Sequence, residues 1–276
     1  MDSVRRFLFE DLDIRGAVVA LGNAWHEMSA GRDDSPAVLA LLGELAAVAA
    51  LIAGNLKTPG RLTFQLQGHG AVSLLMVDCD EQLRLRGTAR HDAAVPPGLT
   101  FRELLGDGQL VLTLQSNQGA PWQSIVPLAG DNLSQVLEHY LTQSEQQPSR
   151  LLLTADERFA GGLFLQKLPD ADARDADGWN RIGHLAATLK PAELAAPAHD
   201  LLMRLFPEEN IRLFEPRPVR YHCPRDEEKV LGMLRGLGRA EVEAAIATHG
   251  ALVVEDDVCR QTYRFGADIV PRLFDN

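Results

Sequence analysis

The longest apolar run of the chain constrains its fold most strongly, because a segment of this kind has to be covered by other parts of the protein. Residues 36–56 read PAVLALLGELAAVAALIAGNL and are rich in alanine and leucine. Ser35 and Pro36 provide a cap and a first-turn residue that are typical of a helix N-terminus. The pattern predicts a buried α-helix over residues 36–56.

Short runs with alternating or β-branched apolar residues predict strands before and after this helix. One strand is expected over residues 7–20, and others over residues 61–67, 72–78, 83–89, 110–114, 124–127 and 151–154. Residues 132–144 have the spacing of an amphipathic helix. Helices packed on a largely antiparallel sheet make an α+β fold, which we predict for a first domain over residues 1–169.

An acidic stretch after Pro169 indicates a domain boundary. Residues 170–178 read DADARDADG and lack an apolar face. The helical segments that follow are short and interrupted by prolines, so residues 170–221 are predicted to form a hinge and a helical linker. Apolar side chains at helical spacing in this linker are Ile182, Leu185, Leu189, Leu201, Leu205 and Phe206. They can pack on the N-terminal sheet, and a helix that undocks would present the same side chains to a binding partner.

Residues 222–276 are predicted to form a small third unit. Its expected core is a helix over residues 240–248, ended by Gly250, followed by strands around residues 252–254 and 262–265. A unit of this size with few large apolar side chains is marginally stable alone, and such units commonly depend on a metal ion or a disulfide. The unit contains two of the three cysteines, Cys223 and Cys259. The third, Cys79, is interpreted as a turn or strand-end residue.

Charge and composition exclude several classes of function. The formal net charge of -11 gives no basic field that would attract phosphates, so we expect no nucleic-acid partner. We also expect no membrane partner, because the apolar runs are interpreted as falling short of the roughly 18 residues of a membrane span. A small, odd number of cysteines fits a reducing compartment, and we predict a cytoplasmic protein. Motifs of catalytic sites are missing from the sequence, so an enzyme is not expected.

Short segments with a regular order and spacing run through nearly the whole chain. They are Phe9-Glu10 with Arg15-Gly16, Gln65-Leu66-Gln67-Gly68 with Gly70, Arg86-Gly87 with Ala89-Arg90, Ser144-Glu145-Gln146 with Pro148 and Arg150, and Ala160-Gly161-Gly162 with Leu165-Gln166 and Pro169. Together with the cysteine-bearing C-terminal unit, they resemble the 33 kDa chaperonin family, the redox-regulated heat-shock holdases of bacteria.

The resemblance implies an ATP-independent chaperone with a β-rich core, a helical linker and a C-terminal redox switch. In that family four cysteine thiolates hold zinc in the reduced, inactive state, and oxidation releases zinc, forms disulfides and unfolds the switch and linker. On this chain the four ligand positions correspond to Cys223, Arg225, Asp256 and Cys259. Because two of the four thiolates are replaced, the switch is degenerate and we expect no zinc cofactor.

The two remaining cysteines leave several alternatives open. A disulfide between Cys223 and Cys259 would stabilise the small unit by roughly 3–4 kcal/mol, so that oxidation stiffens a region that it melts in the family. The pair can also act as a redox switch or remain two inert thiols. A mixed zinc site with His222, Asp256 and the two cysteines is chemically acceptable, but a solvated His222 and an acidic turn cap are the expected roles. Arg225 and Asp256 carry opposite charges and can form a salt bridge.

These observations predict an ATP-independent holdase that binds unfolding proteins under heat or oxidative stress and prevents their aggregation. Its partners are unfolded or partly folded client proteins, bound through the apolar residues of the linker. Activity without zinc or redox control is left open, as is a homodimer. The alternative is a non-chaperone interaction or regulatory protein that retains the fold.

Overall fold

The computed structural model describes residues 2–56, 59–116 and 120–275 and divides the chain into two compact units. The units are Met1–His222 and Cys223–Asn276. Residues 170–221, which the sequence suggests as a separate hinge and linker, lie in the first unit because their helices pack on one of its sheets.

Two six-stranded sheets build the first unit. The strands are β1 (Ser3–Phe9), β2 (Ile14–Leu21), β3 (Gly60–Gln67), β4 (Val72–Cys79), β5 (Arg84–His91), β6 (Gln109–Ser116), β7 (Trp122–Pro127), β8 (Ser149–Ala155), β9 (Ala160–Lys167), β10 (Ile211–Leu213), β11 (Arg217–Pro218) and β12 (Arg220–Tyr221). The first sheet has the order β10-β1-β2-β9-β8, with β11 also paired to β1, and the second has the order β12-β5-β4-β3-β6-β7. The pairs are antiparallel, apart from β12 with β5. The predicted α+β class is confirmed.

The predicted apolar helix lies between the two sheets. The helices of the first unit are α1 (Asn23–Ser29), α2 (Pro36–Asn55), α3 (Phe101–Leu105), α4 (Leu133–Glu145), α5 (Ala171–Arg174), α6 (Gly178–Ala186) and α7 (Ala198–Leu205), with a 3₁₀ helix over Pro191–Ala195. The Ser35 side chain accepts a hydrogen bond from the Val38 N–H and caps α2, as predicted. Leu42 of α2, Val19 of β2 and Phe64 of β3 are fully buried in one apolar cluster, so α2 forms the centre of this core.

Helix α2 is long and apolar enough to cross a membrane by length and composition, so the expectation that the apolar runs fall short of this length is wrong. Its most apolar window is 72% buried inside the protein, and the core helix of a globular protein passes the same test. Glu44 is the charged residue of the helix, and burial raises the pKa of its carboxyl group to about 7. The two sheets therefore cover this apolar surface.

Residues 7–20 form two strands and a turn, so the prediction of a single strand is wrong. β1 and β2 pair antiparallel, from Ser3 opposite Ala20 to Phe9 opposite Ile14. Asp13 in the turn has a positive φ of 51°. Aspartate favours turns and tolerates this left-handed conformation, and the loose apolar alternation on either side of it concealed the reversal.

Strand β9 has no counterpart among the predicted strands, although it lies inside the first sheet between β2 and β8. Gly161 and Gly162 near its start have low β-propensity, which hides the strand signal. Close packing requires a glycine here, because a Cβ atom on Gly162 would lie 2.8 Å from the Leu153 side chain and 3.1 Å from that of Leu51. The missing side chain at Gly162 therefore weakens the strand pattern in the sequence and also allows α2 to approach the sheet.

The second unit contains a helical pair, a hairpin and a terminal helix. They are α8 (Glu227–Leu237), α9 (Arg239–His249), β13 (Leu252–Asp256), β14 (Gln261–Phe265) and α10 (Ile269–Phe274). The predicted helix and strand pair are confirmed, and Gly250 ends α9 with a φ of 74°. Leu231, Val242, Tyr263 and Ile269 are buried in its core, while α10 was not expected from the sequence.

Candidate functional site

The linker helices pack on the apolar part of one face of the first sheet. The opposite face of that sheet contacts α2, and strand alternation places Phe7, Phe9 and Val18 on the linker side. Ile182, Leu201 and Phe206 are fully buried against this face, and the rings of Phe9 and Phe206 meet edge to face with centroids 5.1 Å apart. The linker is therefore docked through an apolar interface.

All six apolar linker residues predicted as a client-binding surface belong to this interface. Ile182, Leu189, Leu201, Leu205 and Phe206 are buried and Leu185 is partly buried in the same cluster. The structure thus brings the six residues together. It also adds the sheet side chains that they cover, which the sequence did not identify as part of the same surface.

The linker helices are too short to be stable without docking. α6 has 9 residues, α7 has 8 and the 3₁₀ helix between them has 5. Isolated helices shorter than about 12–15 residues are marginal in water, so these segments keep their structure only while their apolar side is buried. Undocking would expose both the helix side and the sheet side of the interface at once.

Ion pairs at the rim of the linker add orientation but little stability. Arg181 contacts Glu209 at 2.9 Å and Asp175 at 3.0 Å, and Arg204 contacts Glu193 at 3.1 Å. The hydrogen bonds to Glu209 and Asp175 raise the pKa of Arg181. These pairs are partly exposed and are therefore weakened by water and salt, so burial of apolar side chains dominates the docking.

A disulfide joins Cys223 to Cys259 in the second unit. The Cα atoms are 5.4 Å apart and the two residues are separated by 36 positions, so the bond ties the start of the unit to the hairpin of β13 and β14. The Asp256 carboxylate accepts hydrogen bonds from the Val258 and Cys259 N–H groups and holds the turn before Cys259. The predicted role of an acidic residue as a turn cap is confirmed for Asp256.

Arg225 does not pair with Asp256, so the salt bridge that their opposite charges would allow is not formed. The Arg225 guanidinium donates to the Thr262 carbonyl oxygen at 3.1 Å and lies over the Tyr263 ring, 4.4 Å from its centroid. These contacts direct the side chain onto β14, while the Asp256 carboxylate is occupied by backbone N–H groups. The partners of Arg225 are therefore an aromatic face and a carbonyl oxygen rather than a carboxylate.

A polar network that sequence reasoning missed surrounds the disulfide. The Gln261 side chain donates to the Cys223 carbonyl oxygen at 3.0 Å and accepts from the Tyr263 hydroxyl at 3.1 Å. The same hydroxyl accepts from the Asp226 N–H at 2.9 Å. Alternation along β14 places Gln261 and Tyr263 on one side, but only the folded hairpin brings them to residues 223–226. The network holds the first residues of the second unit onto β14.

The donor set at the four expected metal positions does not fit zinc. Cys223 and Cys259 share a disulfide and offer no thiolate, and Arg225 brings a cation. The side chain of His222 is exposed, and His222 is the last residue of the first unit. Among the described residues, His, Cys, Asp and Glu side chains form no group of three or more that could hold a metal ion.

Cys79 takes no part in this arrangement. It is the last residue of β4 and is fully buried, as the strand-end interpretation predicted. Burial and the neighbouring Asp80 raise the pKa of its thiol, so the reactive thiolate is disfavoured. The first unit therefore gives no thiol suited to redox chemistry within the described residues.

A titratable cluster in the first unit holds the end of β5 against the loop before α2. His91 contacts the Asp34 carboxylate through Nε2 at 2.9 Å and the Asp92 carbonyl oxygen through Nδ1 at 2.7 Å. Both oxygens accept hydrogen bonds, so this arrangement favours the protonated imidazole, in which both ring nitrogens donate. Arg32 lies 3.6 Å from the same carboxylate. Burial lowers the pKa of His91, but the hydrogen bonds to Asp34 and Asp92 outweigh it and raise the pKa overall.

We expect the His91→Gln substitution to destabilise the first unit at low pH and to matter less as the pH rises. The folded-state pKa is raised, so the contribution of His91 is fully present below its unfolded pKa of about 6.5 and is lost as the pH rises through the folded value. A hydrogen bond to a charged group suggests a loss of about 1.5–3 kcal/mol at low pH. Thermal unfolding of the wild type and of His91→Gln, at pH values below and above this pKa, measures the difference in stability between them. A stability difference that does not change with pH would contradict the protonated state of His91.

Comparisons with known proteins agree with one another. The family model described as Hsp33 protein matches residues 2–266. A protein named 33 kDa chaperonin from Pseudomonas paraeruginosa is 41% identical, with 99% of this chain and 94% of the relative covered. One of the same name from Neisseria gonorrhoeae is 38% identical, with 99% and 91% covered. The structure of a 33 kDa chaperonin, a heat shock protein 33 homolog from Thermotoga maritima, has a TM-score of 0.85 at 21% identity and covers 100% of this chain and 98% of that one, so it supports the fold.

Proposed function

This chain belongs to the Hsp33 protein family, and from that premise we propose that it is an ATP-independent holdase that binds unfolding proteins under heat or oxidative stress. The family consists of chaperones rather than enzymes. The observation that carries the proposal is the apolar interface between the linker helices and the first sheet. It is one continuous apolar cluster, and most of its linker side is formed by helices too short to be stable alone.

Local undocking of the linker makes this interface available to clients. Heat populates partly opened states, and segments with weak local structure open first. An opened linker presents Ile182, Leu201 and Phe206 on the helices and Phe9 on the sheet. An unfolded client covers this surface with its own apolar side chains. The surface and the client side chains are then both removed from water, and no nucleotide hydrolysis is needed. The partners are thus unfolded or partly folded proteins in the cytoplasm.

The chaperone works without zinc, and its remaining cysteines act as a stabilising disulfide. Support comes from the Cys223–Cys259 bond and from the replacement of two family ligand positions by Arg225 and Asp256. Oxidation in this chain stiffens the second unit, whereas the family resemblance implies that oxidation melts it. Binding of clients therefore depends on temperature more than on an oxidant.

We expect the purified protein to suppress the heat aggregation of two unrelated enzymes, citrate synthase and luciferase, without ATP. Light scattering is followed with the oxidised and the reduced protein in parallel, and zinc is quantified in the same samples. Suppression by both samples with little bound zinc supports the proposal. Suppression confined to one client would indicate a dedicated interaction protein, and suppression confined to a zinc-releasing sample would indicate a metal-controlled switch.

A further inference from the structure

Strand β7 forms an outer edge of the second sheet. It pairs with β6, from Trp122 opposite Leu114 to Pro127 opposite Gln109, and has no second strand partner within the described residues. In an antiparallel pair every second residue directs its backbone N–H and C=O away from the neighbour. β7 therefore presents backbone groups that can pair with an added strand.

The other end strands of the two six-stranded sheets differ from β7 in length, charge or cover. β10 has 3 residues and β12 has 2, and each contains an arginine. β8 is longer, but α4 lies beside it, and the Glu138 carboxylate of α4 accepts a hydrogen bond from the Leu151 N–H at 2.6 Å. Short length, charge and a covering helix are the usual protections of an edge strand. β7 has 6 residues without a charge.

Apolar side chains are exposed on both faces of β7. Trp122 is 52% exposed and Ile125 is 62% exposed, values that are high for such large side chains. Strand alternation places these two residues on opposite faces of the sheet. Pro121 precedes the strand and Pro127 is its last residue, so the two prolines limit how far a pairing can extend. The edge therefore offers a short, uncharged site with one apolar contact on each face.

We infer that β7 binds an extended, apolar and uncharged segment of an unfolded client by strand addition. The inference rests on the proposed function and names the conformation that it would recognise. An unfolded chain has unpaired backbone groups, so it can complete the edge regardless of its sequence, while Trp122 and Ile125 select apolar side chains. A second copy of the chain is the weaker occupant, because a stable interface between folded proteins buries about 1,000 Å² or more and a pairing over 6 residues is only a small part of such an interface.

The test uses the full-length protein and a fluorescein-labelled, reduced and carboxymethylated α-lactalbumin, which stays unfolded at neutral pH. We expect the double substitution Trp122→Lys and Ile125→Lys to weaken binding by about tenfold or more, since it removes both apolar contacts and charges the edge. Met233→Lys is the matched control, because Met233 is also 52% exposed but lies on α8 of the second unit. It is expected to bind the probe like the wild type.

Hydrogen exchange distinguishes strand addition from nonspecific apolar binding. Amides of residues 122–126 should exchange more slowly when the probe is bound. Equal binding by the double variant, or no added protection in β7, would overturn the inference while leaving the chaperone intact. If the wild type neither binds the probe nor suppresses aggregation, the proposed function fails as well.

A second copy of the chain is the other outcome of the test. If the double substitution dissociates a dimer without changing probe binding, β7 is the contact between two copies and the inference is overturned. Ile125→Lys alone serves if the double variant does not fold.

Discussion

Breaking the Cys223–Cys259 disulfide is expected to unfold the second unit while the first unit remains folded. Its apolar core is small, and single cores below about 70–80 residues rarely supply more than a few kcal/mol. The disulfide closes a loop across 36 positions, which corresponds to roughly 3–4 kcal/mol in the chain-entropy model. Losing it removes a contribution comparable with the whole stability of such a unit.

The measurement compares calorimetric unfolding of the oxidised wild type, the reduced wild type and the Cys223→Ser/Cys259→Ser variant. We expect the transition of the second unit to move to a lower temperature or disappear in the last two samples, while that of the first unit stays in place. The double variant should not respond to reductant, which controls for effects on Cys79. Identical transitions in all three samples would mean that the network of Gln261, Tyr263 and Arg225 holds the unit without the disulfide.

The same experiment gives the sign of redox control. If the disulfide stabilises the second unit, reduction loosens it, which is the reverse of the response implied by the family resemblance. Aggregation suppression measured on the same samples shows whether client binding follows the state of this unit. Equal suppression in the oxidised and reduced samples would separate client capture in the first unit from the stability of the second.

The class of fold was predictable because its strongest signal is local. Residues 36–56 combine a cap, a first-turn proline and an apolar composition within one helix, and α2 ends one residue before the predicted end. The hairpin β13–β14 was also predictable, since alternation and turn signals lie within a few residues. Such elements need no knowledge of distant partners.

Elements that depend on distant contacts were not predictable. β10 has 3 residues and is a strand only because Ile211–Leu213 pairs with Phe7–Phe9, far away in the sequence. A run of this length has no measurable periodicity. Dependence on distant contacts also limited the prediction of the interface between the linker and the first sheet. The spacing of the linker residues predicted an apolar helical face, but the sheet face that it covers became visible only in the fold. Contacts of Arg225 and Gln261 likewise depend on side-chain directions that no sequence pattern encodes.

We expect the Phe206→Ala substitution to undock the linker and to start client binding at a lower temperature. Phe206 is fully buried and contacts the Phe9 ring. Removing a buried phenylalanine side chain costs about 3–5 kcal/mol, and here the loss falls on short helices that depend on docking for their structure. The effect should therefore be local opening rather than loss of the α2 core.

Met203→Ala is the matched control for this substitution. Met203 lies on α7 close to Phe206, but its side chain is 49% exposed and it is not part of the buried cluster. Hydrogen exchange of residues 178–206 should accelerate in Phe206→Ala and stay near the wild-type rate in Met203→Ala, while the amides of α2 remain protected in both. This comparison separates undocking from a general effect of shortening an apolar side chain in the linker.

Client binding by a third variant shows whether the helix side or the sheet side of the interface binds clients. Leu201→Ser/Leu205→Ser also undocks the linker, but it removes two apolar side chains from the helix side, whereas Phe206→Ala removes one. Both variants leave Phe7 and Phe9 on the sheet. If the helices bind clients, this variant opens early and yet protects less client at saturation than Phe206→Ala. Equal protection by both variants would assign client binding to the sheet side. Opening without earlier client capture in either variant would show that the surface beneath the linker is not where clients bind.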